Sequence, residues 1–207
     1  MRTEMIDAYL RQLVSSFGNV RAPVDDNELL RFFNAKDYTR MVGFVKKSMR
    51  VECRLRLGLV NAGGLSAPAW VETPDPMPRA GTPAFRNTLV TMFIRRDFIA
   101  YATFEALVYS MSHECAHIVL NSVAHPLRDE EVAVDLTCML LGYRDYYVTG
   151  CQVHEQEEPS GILSHTNKLF SELFGLGTSY ETPTTHRLGY LSREEVHYAA
   201  RRMTAGF

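Results

Sequence analysis

The sequence has no apolar run approaching the roughly 18 residues that a membrane-spanning helix needs, no C-x-x-C pair, no block of basic residues and no internal repeat. Each absence removes a class of protein. Without the long run, a transmembrane helix is not expected. The four cysteines, Cys53, Cys115, Cys138 and Cys151, stand singly, which predicts reduced thiols rather than a disulfide framework. "VKKSMR" is the nearest approach to a basic patch, and the formal net charge is −2. Neither predicts nucleic acid or an anionic membrane as a partner. The opening "MRTEMIDAYLRQLVSS" has no apolar core of the kind a secretory signal carries, so the expected location is cytoplasmic. No feature of the sequence specifies an oligomeric state.

What is present reads as an ordinary globular chain. It has 207 residues, 46% hydrophobic and 22% charged, enough to bury a core without covalent staples. A single domain over 1–207 is expected, with a helical part at 1–50. Residues 51–207 are expected to hold a sheet, two helices that carry the polar motifs, and a C-terminal helix.

Ile6, Tyr9, Leu10, Leu13, Val14 and Phe17 recur at the helical period, and Gly18 follows as a stop. Further helices are predicted after "APVDD" and from Asp37 to Met49. The period then changes to two: Val51, Cys53, Leu55, Leu57 and Leu59 alternate with polar positions, which predicts a half-buried strand. "AWVE" and "TLVTMFI" are further strand candidates, and five of the nine prolines fall between Pro68 and Pro83, in an irregular loop. A long helix is predicted from Thr103 to Ser122, and a second from Glu130 to Gly142 with Asp129 as its cap. Residues 145–185 read as polar and partly irregular. Ser192 and Glu195 form a capping box, flanked by a Leu191–Val196 staple, before a last helix.

The chemistry lies in "MSHECAHIVLNS". His113 and His117 are four apart, so on a helix they leave one face and can grip one metal ion together. Glu114 lies about 100° around the helix from His113, beside such an ion but not on it. There it can take a proton from a water that zinc has polarised. On the next helix Glu131 and Asp135 are also four apart, and the short connection predicts antiparallel neighbours with the carboxylates facing the histidines.

His113-Glu114-x-x-His117 followed by Glu131-x-x-x-Asp135 resembles the gluzincin branch of zinc metallopeptidases. "EEVAVDLTCMLLGY" and "GYLSREEVHYAA" are also similar to a family of uncharacterised bacterial HExxH proteins. The resemblance implies a zincin-like α+β domain, with a small, mostly antiparallel sheet packed on the HExxH helix. It implies one zinc ion as cofactor, Glu131 as third ligand, Asp135 holding a ligand histidine by its free ring nitrogen, and a peptide or protein as substrate. The connection between the motifs is shorter than that group usually has, so Asp135 and His125 stay open as alternative third ligands. Cys138, one turn beyond Asp135 on the same stripe, is a further candidate ligand, although a buried thiol more commonly serves as a small apolar residue. Cys115 and Cys53 are expected in the core.

Amide hydrolysis also needs a donor for the oxyanion. Candidates downstream of the motif are His154, His165, His186, Tyr143, Tyr180, Tyr190 and His197, with His186 and Tyr190 singled out because they lie just before the capped last helix. The functional expectation is hydrolysis of peptide bonds with Glu114 as general base. The rival is a zinc-binding regulatory or interaction protein that keeps the site without turnover.

Overall fold

The computed structural model describes residues 2–61, 67–153 and 189–206, and the fold is α+β with a small mixed sheet. Helices α1 (Thr3–Phe17), α2 (Asn27–Asn34) and α3 (Tyr38–Ser48) come first, followed by strands β1 (Arg54–Val60) and β2 (Ala69–Glu72). Helix α4 (Pro83–Asn87) leads into β3 (Leu89–Arg95), and α5 (Arg96–Tyr101) into the long α6 (Phe104–Ser122). Helix α7 (Glu131–Cys138) passes through a wider π turn, Met139–Tyr143, into α8 (Arg144–Val153), and α9 (Arg193–Ala205) follows.

Local chemistry accounts for most of these elements. Helix α1 turns Ile6, Leu10 and Leu13 inward, and Gly18 ends it with φ at +83°. The Asp37 carboxylate accepts from the Arg40 N–H at the start of α3, and the Thr103 hydroxyl accepts from Ala106 at the start of α6. Ser192 and Glu195 form the reciprocal capping box of α9, with Leu191 and Val196 both buried.

The sheet differs from the expectation of a mostly antiparallel one. Its order is β1-β3-β2. Strand β1 runs parallel to β3, from Arg54↔Leu89 to Val60↔Arg95, while β2 pairs antiparallel with β3 from Ala69↔Ile94 to Glu72↔Thr91. Strand β2 returns without pairing to β1, and the chain through α4 brings β3 back between the two, parallel to the first. Alternation in the sequence specifies which face a strand buries but not which strand lies beside it. The inner face presents Val90, Met92, Ile94 and Ala69, all buried, and β2 is left as an edge beside α6.

Helix α6 is the centre of the molecule. Every residue from Ala106 to Ala116 is buried, because α3, α7, α8 and β2 all pack on it. None of the helices among the described residues is long and apolar enough to cross a membrane.

Three boundaries around α6 differ from the sequence reading. The cap of α7 is Glu130 rather than Asp129, and no side chain makes a capping bond there. The predicted helix 130–142 is α-helical to Cys138, and the Met139–Tyr143 turn that follows is kinked at Gly142, which takes φ +106°. A Cβ at Gly142 would lie 2.7 Å from the Ala22 carbonyl, and the loop after α1 is strapped to this kink by Arg21 N–H to Leu140 O and Val24 N–H to Gly142 O. The stretch read as polar and partly irregular begins with a regular helix, Arg144–Val153, and its residues 154–185 lie outside the described residues. Tyr146 and Tyr147 are both buried, Tyr147 with its ring 4.2 Å from that of Tyr109 on α6, so packing overrides a weak local preference.

Candidate metal centre

Two helices bring together the side chains that could hold a metal ion. From α6, His113 and His117 project off one face with their Nε2 atoms 3.2 Å apart. From α7, Glu131 Oε2 lies 3.2 Å from His113 Nε2 and 3.4 Å from His117 Nε2. Each offers one ligand atom, and His113, His117 and Glu131 form the one such group of three among the described residues. The antiparallel packing of α6 and α7 predicted from their short connection is what sets the carboxylate opposite the imidazoles.

Asp135, 1% exposed, stands behind this group and accepts four hydrogen bonds. Its Oδ1 takes the Nδ1 proton of His113 at 3.0 Å and the Tyr109 hydroxyl at 2.9 Å. Its Oδ2 takes the backbone N–H of Tyr190 at 2.8 Å and that of Leu191 at 3.3 Å. With Nδ1 donating to Asp135, a neutral His113 keeps its lone pair on Nε2, the atom aimed at Glu131 and His117. Asp135 therefore fixes the His113 ring and lies outside the group of three.

The electrostatics favour a positive charge at this point. Burial pushes His113 down, but its hydrogen bonds to Asp135 and Glu131 and the charges of Asp135 and Glu114 outweigh that and raise it to about 10. Hydrogen bonds from His113 and then His117 lower Glu131 to about 2, against the opposing effect of burial. A proton and a metal ion compete for such a set.

Glu114, 7% exposed, lies outside the group of three. Burial raises its carboxyl, and the charges of His113 and His117 and the backbone N–H of Val71 on β2 pull it back. The carboxylate thus sits between the imidazoles and the sheet edge.

The other candidates separate cleanly. His125 accepts the Leu127 N–H at Nδ1, bonds Ser16 Oγ through Nε2 at 3.2 Å, and stacks on Phe17. Both its nitrogens are engaged, one within its own loop and one on α1, and it lies apart from the group of three. Cys138 is buried, with its thiol against Tyr147 and Ser112, and burial raises it well above its ordinary value. It is core rather than a ligand, as are Cys115 and Cys53. Tyr143 is also core, fully buried with its hydroxyl on Ser48. His197 lines a groove between α8 and α9 instead. His186, with His154, His165 and Tyr180, lies outside the described residues. Tyr190 is brought to the centre: its ring stacks on His113 at 6.1 Å between centroids and 20° between planes. Burial, then the charges of Glu131, Asp135 and Glu114, raise its phenol.

Sequence reasoning missed Tyr109 and Arg2. Tyr109 lies one turn before His113 and could have been found as a polar-tipped residue on the same helix face. Arg2, whose Nη2 donates to the Tyr190 carbonyl at 2.8 Å, left no signal, since its partner is 188 positions away. Comparison with models of known protein families, with curated proteins and with solved structures finds no match to this chain.

Proposed function

We propose that this chain is a zinc-dependent metallopeptidase of the gluzincin type, hydrolysing bonds in a peptide or protein substrate. The observation that carries the reading is the triangle of His113 Nε2, His117 Nε2 and Glu131 Oε2, with sides of 3.2, 3.2 and 3.4 Å, and a buried carboxylate, Glu114, beside it. Four ligands on tetrahedral zinc at about 2.0–2.1 Å are separated by roughly 3.3–3.4 Å. The three atoms match one face of that tetrahedron, and two imidazoles with one carboxylate suit zinc better than a hard cation. Three protein ligands leave the fourth position open, as catalytic sites require.

When bound, zinc would polarise a water at the open position and lower its pKa to about 7. The remaining work falls to side chains of this chain. Glu114 accepts the water's proton as general base and returns it to the leaving amine. Asp135 holds His113 in the tautomer and orientation that a ligand needs. Tyr190, whose hydroxyl has no partner among the described residues, is the candidate donor to the oxyanion. The substrate backbone would lie along the edge of β2, next to the Val71 N–H that reaches Glu114.

Incubating zinc-loaded protein with a mixed peptide library should give products whose new termini together carry one added water. Glu114→Gln should keep its zinc and lower cleavage by at least about 10²-fold, the lower range for a general base. Turnover by this variant at the wild-type rate would remove Glu114 from the mechanism. Full zinc occupancy with no cleavage by the wild type would favour the regulatory or interaction protein instead.

A further inference from the structure

We propose that Arg2 is a positioning residue for the metal centre: together with Asp135 it latches the turn at 189–191 so that the Tyr190 ring is held against His113. The inference rests on the reading of His113, His117 and Glu131 as a metal centre for its functional weight, and on its own geometry for its existence.

Tyr190 is 52% exposed, and a half-exposed ring on a turn samples several rotamers and backbone conformations unless its backbone is fixed. Here the backbone is fixed from both sides. Its N–H donates to Asp135 Oδ2 at 2.8 Å, and its carbonyl accepts from Arg2 Nη2 at 2.8 Å. Gly189 allows the turn to close over Asp135. It takes φ +93°, and a Cβ there would lie 2.1 Å from the Tyr109 hydroxyl and 3.4 Å from Asp135 Oδ2.

Arg2 is itself held rigidly. Its Nε and Nη2 donate to the two oxygens of Glu195 at 2.9 and 2.8 Å, and its backbone N–H to Oε1 at 3.1 Å. Glu195 is buried and also accepts the Ser192 N–H in the capping box of α9. A guanidinium pinned as a fork by a buried carboxylate has a defined direction for its remaining donors. That direction meets the Tyr190 carbonyl. A simple tie between α1 and α9 does not need this bond, because Asp7 already joins Arg202 and Tyr198 across the same interface at 2.9 and 3.0 Å. The extra donor of Arg2 therefore acts on the turn, and Arg2 helps to complete the wall of the metal centre.

Fluorine NMR of the full chain labelled with 3-fluorotyrosine tests this. Tyr190→Phe assigns the Tyr190 signal, and Tyr109, Tyr147, Tyr9 and Tyr198 are assigned likewise. In metal-free protein, Arg2→Ala should move the Tyr190 signal more than halfway to its position in a short unstructured peptide. Tyr109 and Tyr147 should stay in place. Arg2→Lys keeps the charge without the fork and should give an intermediate shift; it also serves if the alanine variant does not fold. With cobalt(II) added at equal occupancy, the paramagnetic shift of Tyr190 should be at least halved in Arg2→Ala. A Tyr190 signal unchanged in both Arg2 variants overturns the proposal. So does a change in which Tyr198, bonded to Asp7 across α1 and α9, moves as far as Tyr190, since that reports only loosening between the two helices. If cobalt moves no tyrosine signal while the metal-free effect of Arg2→Ala persists, the latch stands and the reading of the site as a metal centre falls.

Discussion

Both carboxylate oxygens of Asp135 are engaged, one by His113 and Tyr109 and the other by two backbone N–H groups of the 189–191 turn. Glu131, 37% exposed at its side chain, contacts the two imidazoles. Losing these residues should therefore have different signatures. On the proposed zinc site, Glu131→Ala removes one of three ligands and should yield largely zinc-free protein that remains folded. Asp135→Asn keeps the ligands and should weaken zinc binding by about 10–100-fold. It should also destabilise the fold by about 1–3 kcal/mol, because an amide cannot accept from all four donors. Zinc titration and urea unfolding of both variants check this; a greater loss of zinc in Asp135→Asn than in Glu131→Ala would reverse the assignment. The i, i+4 spacing made this pair legible, since a helix carries both carboxylates to one side. The Tyr109 bond, 26 positions from Asp135, was legible only once the antiparallel packing of α6 and α7 was known.

At the scale of elements, α1 and α9 form a unit that is held by charge. Glu195 is depressed well below the usual carboxylate range, first by its hydrogen bond to Arg2 and against the effect of burial. Asp7 is lowered too, first by Arg202, with burial opposing. A folded-state pKa below the unfolded value means that the ionised form stabilises the fold. That contribution is present above the unfolded carboxyl value of about 4.3 and is lost as pH falls through it and on toward the folded value. Glu195→Gln should then cost about 1–3 kcal/mol near pH 7, and the gap to wild type should narrow steadily on acidification below about pH 4. Urea unfolding of both proteins across that range measures it. A gap that is constant with pH would show that Glu195 acts through packing alone. The capping box that begins α9 was plain in the sequence, since Ser192 and Glu195 are three apart. Its partner Arg2 was not, because the contact joins opposite ends of the chain. Helix α8 was hidden for a related reason: its Tyr146 and Tyr147 are placed by neighbours on α6 and in the π turn, not by their own helical preference.

Across the whole molecule, the candidate centre is assembled from α6, α7, the edge of β2 and the turn before α9, with the buried α6 as the rigid element to which the others are referred. In the mixed sheet β2 lies at an edge, the strand whose Val71 N–H meets Glu114. Local periodicity could show strands and helices, and the metal-ligating pattern could show itself on two of them. It could not show that β3 inserts between β1 and β2, because nothing in an alternating strand names its neighbour. The account as a whole rests on a metal ion joining α6 to α7. Metal analysis of the purified protein, with a His113→Ala/His117→Ala double variant prepared alongside, tests it most directly. The account predicts one zinc per chain in the wild type and none in the double variant; full zinc occupancy in the double variant, or a wild type that takes up no zinc when it is supplied, would contradict it.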